Sequence, residues 1–160
     1  MRGGVLPPAL VLAALAFALA FAPRRMVWPA IGLAAIVAVV TALLPLPHSW
    51  TGAIFVACWG MTIVAAASVH LPRGVGGRTA LLLALGAGLA AGATIAVAGT
   101  QLDFARALPV MILVWPARWL VGHKGDIAVK VAASWLVAVA ILVGTLPIVP
   151  TPGYVADHME

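Results

Sequence analysis

Ionisable side chains are scarce in this sequence, and those with spacing suited to chemistry gather in one stretch, DFARALPVMILVWPARWLVGHKGD, from Asp103 to Asp126. Asp103 and Arg106 stand three positions apart, which on a helix puts a carboxylate and a guanidinium on one face within ion-pairing reach. Such a pair at membrane depth can form a cation site or clamp a substrate carboxylate, because an ionisable group there is expensive and is a functional candidate for that reason. At the other end, His123, Lys124 and Asp126 surround Gly125. The histidines His48, His70, His123 and His158 fall at expected interfaces or in the tail, and no two are spaced to face each other as axial haem ligands on neighbouring helices. His70 and His123 share one expected side, where solvated imidazoles are the simpler reading and a shared metal the sharper one. No H-E-x-x-H, phosphate-binding Gly-x-x-x-x-Gly-Lys or Gly-x-Ser-x-Gly pattern occurs. No metal or other cofactor is expected.

These residues must be positioned by an unusual chain. Of its 160 residues 64% are hydrophobic and 8% charged, against about 25% charged in soluble domains, so it cannot cover itself with a water-facing surface. The net charge of +5 would suggest nucleic acid in a soluble protein. Here the cations fill short gaps between apolar runs, so the partner they indicate is the lipid bilayer and not nucleic acid. Cys58, the single cysteine, lies inside an apolar run and rules out an intrachain disulfide or a CxxC pair. It reads as a small buried hydrophobe.

A bilayer core is crossed by roughly 20 apolar helical residues. The sequence predicts an all-α integral membrane protein, a single domain of six spans over residues 5–22, 27–46, 50–69, 79–99, 101–121 and 127–149, with a tail of 150–160. The breaks AFAPRRM, LPLPHSW and HLPRGVGGR combine proline, glycine and cations, which stop helices and favour the interface. The first run imitates a signal peptide with AFA at Ala20–Ala22. Its length, Pro23 and the stop-transfer flank Arg24–Arg25 favour a retained helix.

Lys and Arg in short loops stay on the cytoplasmic side. With six spans, all of the nine Lys and Arg except Arg2 and Arg106 share one side, and the acidic tail lies opposite. The expectation is a bacterial-type inner membrane with both termini outside the cytoplasm.

The fifth run is the least ordinary. Between Arg106 and Arg118 a helix rises only about 18 Å, short of the roughly 30 Å hydrocarbon core, so the expected span is short and interrupted by Pro109 and Pro116. Its arginines snorkel towards the head groups. A re-entrant segment is the alternative. In outline, QLDFARALP and GHKGDIAVK resemble the two aspartate sites of intramembrane aspartyl proteases such as small prepilin peptidases, whose second aspartate closes a Gly-x-Gly-Asp motif. That family's dyad shares a proton between adjacent carboxylates. Here His123 stands where the first glycine belongs, and a single span would hold Asp103 and Asp126 near opposite faces.

Among aromatic residues, Trp28, Trp50 and Trp119 sit where interfacial anchors belong. Trp59 and Trp135 fall near the midplane, as bulky packing residues or as walls of a pocket for an apolar or cationic ligand. Gly88 and Gly92 form a Gly-x-x-x-Gly helix-packing pair, and Gly60, Ala57 and Ala66 lend the third run a small face. Spacing alone does not say whether such faces meet within the chain or between copies. Similar Leu-Pro helix ends in VTALLPLPHSW and VGTLPIVPTPGY suggest shared interface chemistry more than a duplicated half.

The function expected from this pattern is a small membrane component or accessory subunit of a transport or envelope complex, associated with other membrane subunits or with copies of itself. One alternative is a self-contained small-solute channel or carrier acting as an oligomer, with Asp103, Arg106, Trp59 and Trp135 as substrate-binding candidates. Another is an intramembrane enzyme acting on lipid or peptide. No residue stands out as catalytic.

Overall fold

The computed structural model describes residues 6–146 apart from residues 73 and 100, and gives the backbone alone for residues 101, 102 and 104. The tail of 150–160, the end of the sixth run, Arg2 and Arg73 lie outside the described residues.

The described chain is all-helical. Its α-helices are α1 (Leu6–Ala20), α2 (Arg24–Ala42), α3 (Thr51–Ala67), α4 (Gly77–Ala98), α5 (Gln101–Ala107), α6 (Val114–Gly122) and α7 (Asp126–Thr145). Single 3-10 turns at His48–Trp50 and Ser68–His70 extend α3 at both ends. Four segments are long and apolar enough to cross a membrane: Arg24–Ala42, His48–His70, Gly77–Ala98 and Asp126–Thr145.

Two of the expected spans differ. The first helix has 15 residues, about 22 Å at helical rise, and so is shorter than the 5–22 run. Pro7 and Pro8 occupy its first turn, where missing N–H groups cost no intrahelical bond. The 101–121 run is not one helix. It divides into α5, a 3-10 stretch at Leu108–Leu113, and α6. Pro109 is the second residue of that stretch and Pro116 the third of α6. Each removes a donor and crowds the carbonyl four residues back, so the α-helical ladder fails between them and the tighter 3-10 pattern takes over.

The segment that imitates a signal peptide is the centre of the bundle. Val11, Ala14, Leu15, Ala16, Ala18 and Leu19 of α1 are wholly buried. Around α1 stand α3, α4, the broken α5–α6 segment and α7. The second helix packs chiefly on the outer side of α4. That contact is a zipper of small residues: Ala30, Ala34 and Ala38 of α2 are buried against α4, and a Cβ on Gly88 would lie 2.7 Å from the Ala34 carbonyl oxygen. At Gly92 a Cβ would come closer still to the Ala38 carbonyl. Gly88 and Gly92 therefore pack within the chain. In a bilayer, where lipid offers no hydrophobic drive between helices, such close backbone approach supplies dispersion contacts that a larger side chain would forfeit.

The small residues of the third run divide, with Ala66 buried in the bundle and the other two outside it. Ala57 and Gly60 are exposed, and nothing lies within 4 Å of a Cβ placed on Gly60. The inward face of α3 is Cys58, Trp59, Thr62, Ala65 and Ala66.

Candidate functional site

The broken fifth segment is held by its second arginine. Arg118, one turn into α6, donates from Nη1 to the carbonyl oxygens of Ala22 at 2.9 Å and Leu19 at 3.3 Å. Leu19 lies in the last turn of α1, its carbonyl also accepting from the Ala22 N–H at 3.1 Å, and Ala22 lies two residues past the helix, so both carbonyls are at the end that carries the negative pole of the helix dipole. Met111, Val114 and Ala117 bury the inner face of the segment against α1. In the sequence Arg118 reads as an orienting cation that snorkels towards the head groups. Its part in closing α1 was not visible there, although a cation bordering an apolar helix is the signal for such a role.

At the opposite end of the segment, the Arg106 guanidinium and the Asp103 carboxylate form the i,i+3 pair at 3.7 Å. Asp103 is only 14% exposed and Arg106 71%, so the carboxylate is tucked in while the cation reaches out. Asp103 also takes part in a further interaction. This pair sits on α5, the 7-residue helix between the C-terminus of α4 and the 3-10 stretch.

GHKGD has a local structural reading. Lys124 adopts the left-handed conformation, φ 61°, and Gly125 N–H donates to the Leu120 carbonyl at 2.8 Å, the helix-ending arrangement with its left-handed residue just past the C-cap. Asp126 then opens α7 and pairs with Lys130 at 2.9 Å. Asp103 and Asp126 lie at opposite ends of the broken segment, each with a basic neighbour, and they do not form a shared-proton dyad.

His123 and His70 have separate partners. His123 Nδ1 lies 2.8 Å from the Trp119 carbonyl oxygen, and the two rings stack with centroids 4.5 Å apart. His70 Nε2 is 3.2 Å from Ser134 Oγ, linking the end of α3 to α7. Among the described residues no group of three His, Cys, Asp or Glu is placed to hold a metal ion.

Trp59 and Trp135 line one groove of about 780 Å³ between α1, α3 and α7, together with Leu6, Leu10, Phe55 and Val139. Trp59 is 7% exposed and packs on Gly144, where a Cβ would lie 3.3 Å from the Trp59 Cβ. Trp135 is 65% exposed and forms an outer wall. The lining is almost wholly apolar. Its volume is that of a small-molecule site, and its chemistry suits an alkyl or aromatic ligand. Asp103 and Arg106 are not among its lining residues, so the structure divides the four substrate-binding candidates between two places.

Among the described residues the buried polar side chains are Thr41, Thr62, Ser68 and Thr94. Thr62 and Thr94 are fully buried, and each hydroxyl donates to the carbonyl four residues earlier on its own helix, Cys58 at 2.9 Å and Ala90 at 2.8 Å. Ser68 donates to the carbonyl of Ala65, three residues earlier, at 2.6 Å. Among the described residues no buried side-chain nitrogen or oxygen lacks a partner. Comparison of the chain with protein-family models, with curated proteins and with solved structures gives no match, so the geometry and the chemistry of the residues carry the functional reading alone.

Proposed function

We propose that this chain is a small polytopic membrane protein acting as a membrane component or accessory subunit of a transport or envelope complex, with its basic end in the cytoplasm. One observation carries the reading: the axis of the bundle is filled by the apolar α1, and the fully buried hydroxyls of Thr62 and Thr94 each donate to a carbonyl of their own helix. A carrier for a polar solute needs convergent polar groups at membrane depth to replace the solute's hydration. Within the described residues the charged groups sit at the helix ends instead. The test is purification of the tagged full chain in mild detergent. A defined set of membrane partners at fixed stoichiometry is expected; recovery of the chain alone, with solute transport after reconstitution, would overturn the subunit reading.

A second reading rests on the groove shared by Trp59 and Trp135: a self-contained carrier or binder of an apolar ligand, working from the membrane side. It predicts that the isolated chain takes up an alkyl probe and that Val139→Trp, which fills the groove, blocks uptake.

A further inference from the structure

The small-residue zipper fixes more than the spacing of α2 and α4. Met26 meets Gly77, Ala34 meets Gly88 and Ala38 meets Gly92, so residue numbers rise together along the contact and the two helices run parallel. Their first turns therefore start side by side at the same end of the bundle. Those turns carry Arg24 and Arg25 on α2 and Arg78 on α4, all exposed. Neither first turn contains an acidic residue. Among the described residues, ion pairs form at Asp103–Arg106 and Asp126–Lys130, and neither involves these three arginines. Packing thus gathers like charges without supplying a counter-charge, and like charges brought together are stabilised by an anion placed among them.

Aromatic residues say where that anion lies. Trp28, one turn beyond Arg24, is 65% exposed, and its ring centroid is 5.4 Å from that of Trp115, which is also exposed. An exposed indole pair marks the depth at which head groups meet acyl chains. We propose that the paired starts of α2 and α4 form a binding surface for anionic phospholipid head groups, with Arg24, Arg25 and Arg78 on the phosphates and Trp28 and Trp115 against the upper acyl chain. Guanidinium groups suit this target because their planar forks pair with two phosphate oxygens at once. The aromatic pair beneath the arginines selects a lipid over an acidic soluble protein, which would have no use for it.

Native mass spectrometry of the full chain from mixed phosphatidylglycerol and phosphatidylcholine micelles tests the surface. Wild type is expected to retain phosphatidylglycerol in preference, and Arg24→Gln, Arg25→Gln and Arg78→Gln to weaken that preference by roughly fivefold each. Lys124→Gln, at the same end but on the α6–α7 turn, should leave it unchanged. Equal loss from Lys124→Gln would show diffuse charge and overturn the proposal, as would a triple arginine variant that binds like wild type. Displacement of the lipid by inorganic phosphate or by a short polyglutamate peptide would assign the arginines to a soluble anion instead. A second measurement needs no arginine variant: the fluorescence lost in Trp28→Phe should be quenched more by brominated phosphatidylglycerol than by brominated phosphatidylcholine, and equal quenching would contradict the assignment.

Discussion

The Arg118 guanidinium lies 2.9 Å from the carbonyl oxygen of Ala22, joining the broken fifth segment to the end of the central helix. A hydrogen bond from a charged donor to a carbonyl contributes about 1.5–3 kcal/mol, and here it also complements the dipole of α1. Arg118→Met, which keeps the apolar stem, is expected to lower the melting temperature in detergent, and Arg118→Lys to recover part of the loss. A melting temperature unchanged in Arg118→Met would show that the bond contributes nothing.

The α2–α4 contact predicts opposite outcomes for two glycines. Gly92→Leu drives a side chain into the Ala38 carbonyl and Thr41, and overpacking of this kind costs about 1–3 kcal/mol or more where backbone must move. Gly60→Ala meets open space and gains helix propensity, about 0.5–1 kcal/mol. Thermal unfolding of the two variants should separate in sign. Since the zipper is internal, Gly92→Leu should act by loosening the chain's own fold.

Lys124 occupies a left-handed turn without being glycine, a conformation that costs roughly 1–2 kcal/mol for a residue with a Cβ. Lys124→Gly should therefore raise stability while Lys124→Val lowers it. A stabilisation absent from Lys124→Gly would mean that the lysine side chain supplies a compensating contact.

Trp59 and Trp135 share a groove but differ in burial. Trp59→Ala removes packing against Gly144 and is expected to destabilise the fold, whereas Trp135→Ala, at an exposed wall, should leave the melting temperature near wild type. If the groove binds an apolar ligand, both variants reduce uptake of an alkyl probe. Uptake lost only in the unstable variant would count against a ligand site.

Orientation is tested by cysteine accessibility. Cys58 is fully buried and gives little background. His123→Cys should label from the cytoplasmic side, and His48→Cys and His158→Cys from the other. Labelling of His48→Cys and His123→Cys from the same side would discard the proposed topology.

Much of this arrangement is legible before folding. Apolar runs announce the long helices, the prolines at 109 and 116 announce a break, and the spacing of Asp103 and Arg106 announces their pair, because each depends on local backbone chemistry or on contacts one turn away. The alternation of basic and non-basic gaps supports the proposed orientation. The tertiary structure alone decides which apolar run becomes the centre. Core and lipid are equally apolar, so the all-round apolarity of α1, which holds no polar side chain, suits a lipid-facing helix as well as a central one. For the same reason Gly88 and Gly92 advertise a close contact without naming Ala34 and Ala38 as its other side. Arg118 finds Ala22, and Trp59 meets Trp135 across one groove, through contacts between residues far apart in the chain, which only the packing of α1 among its neighbours brings within reach.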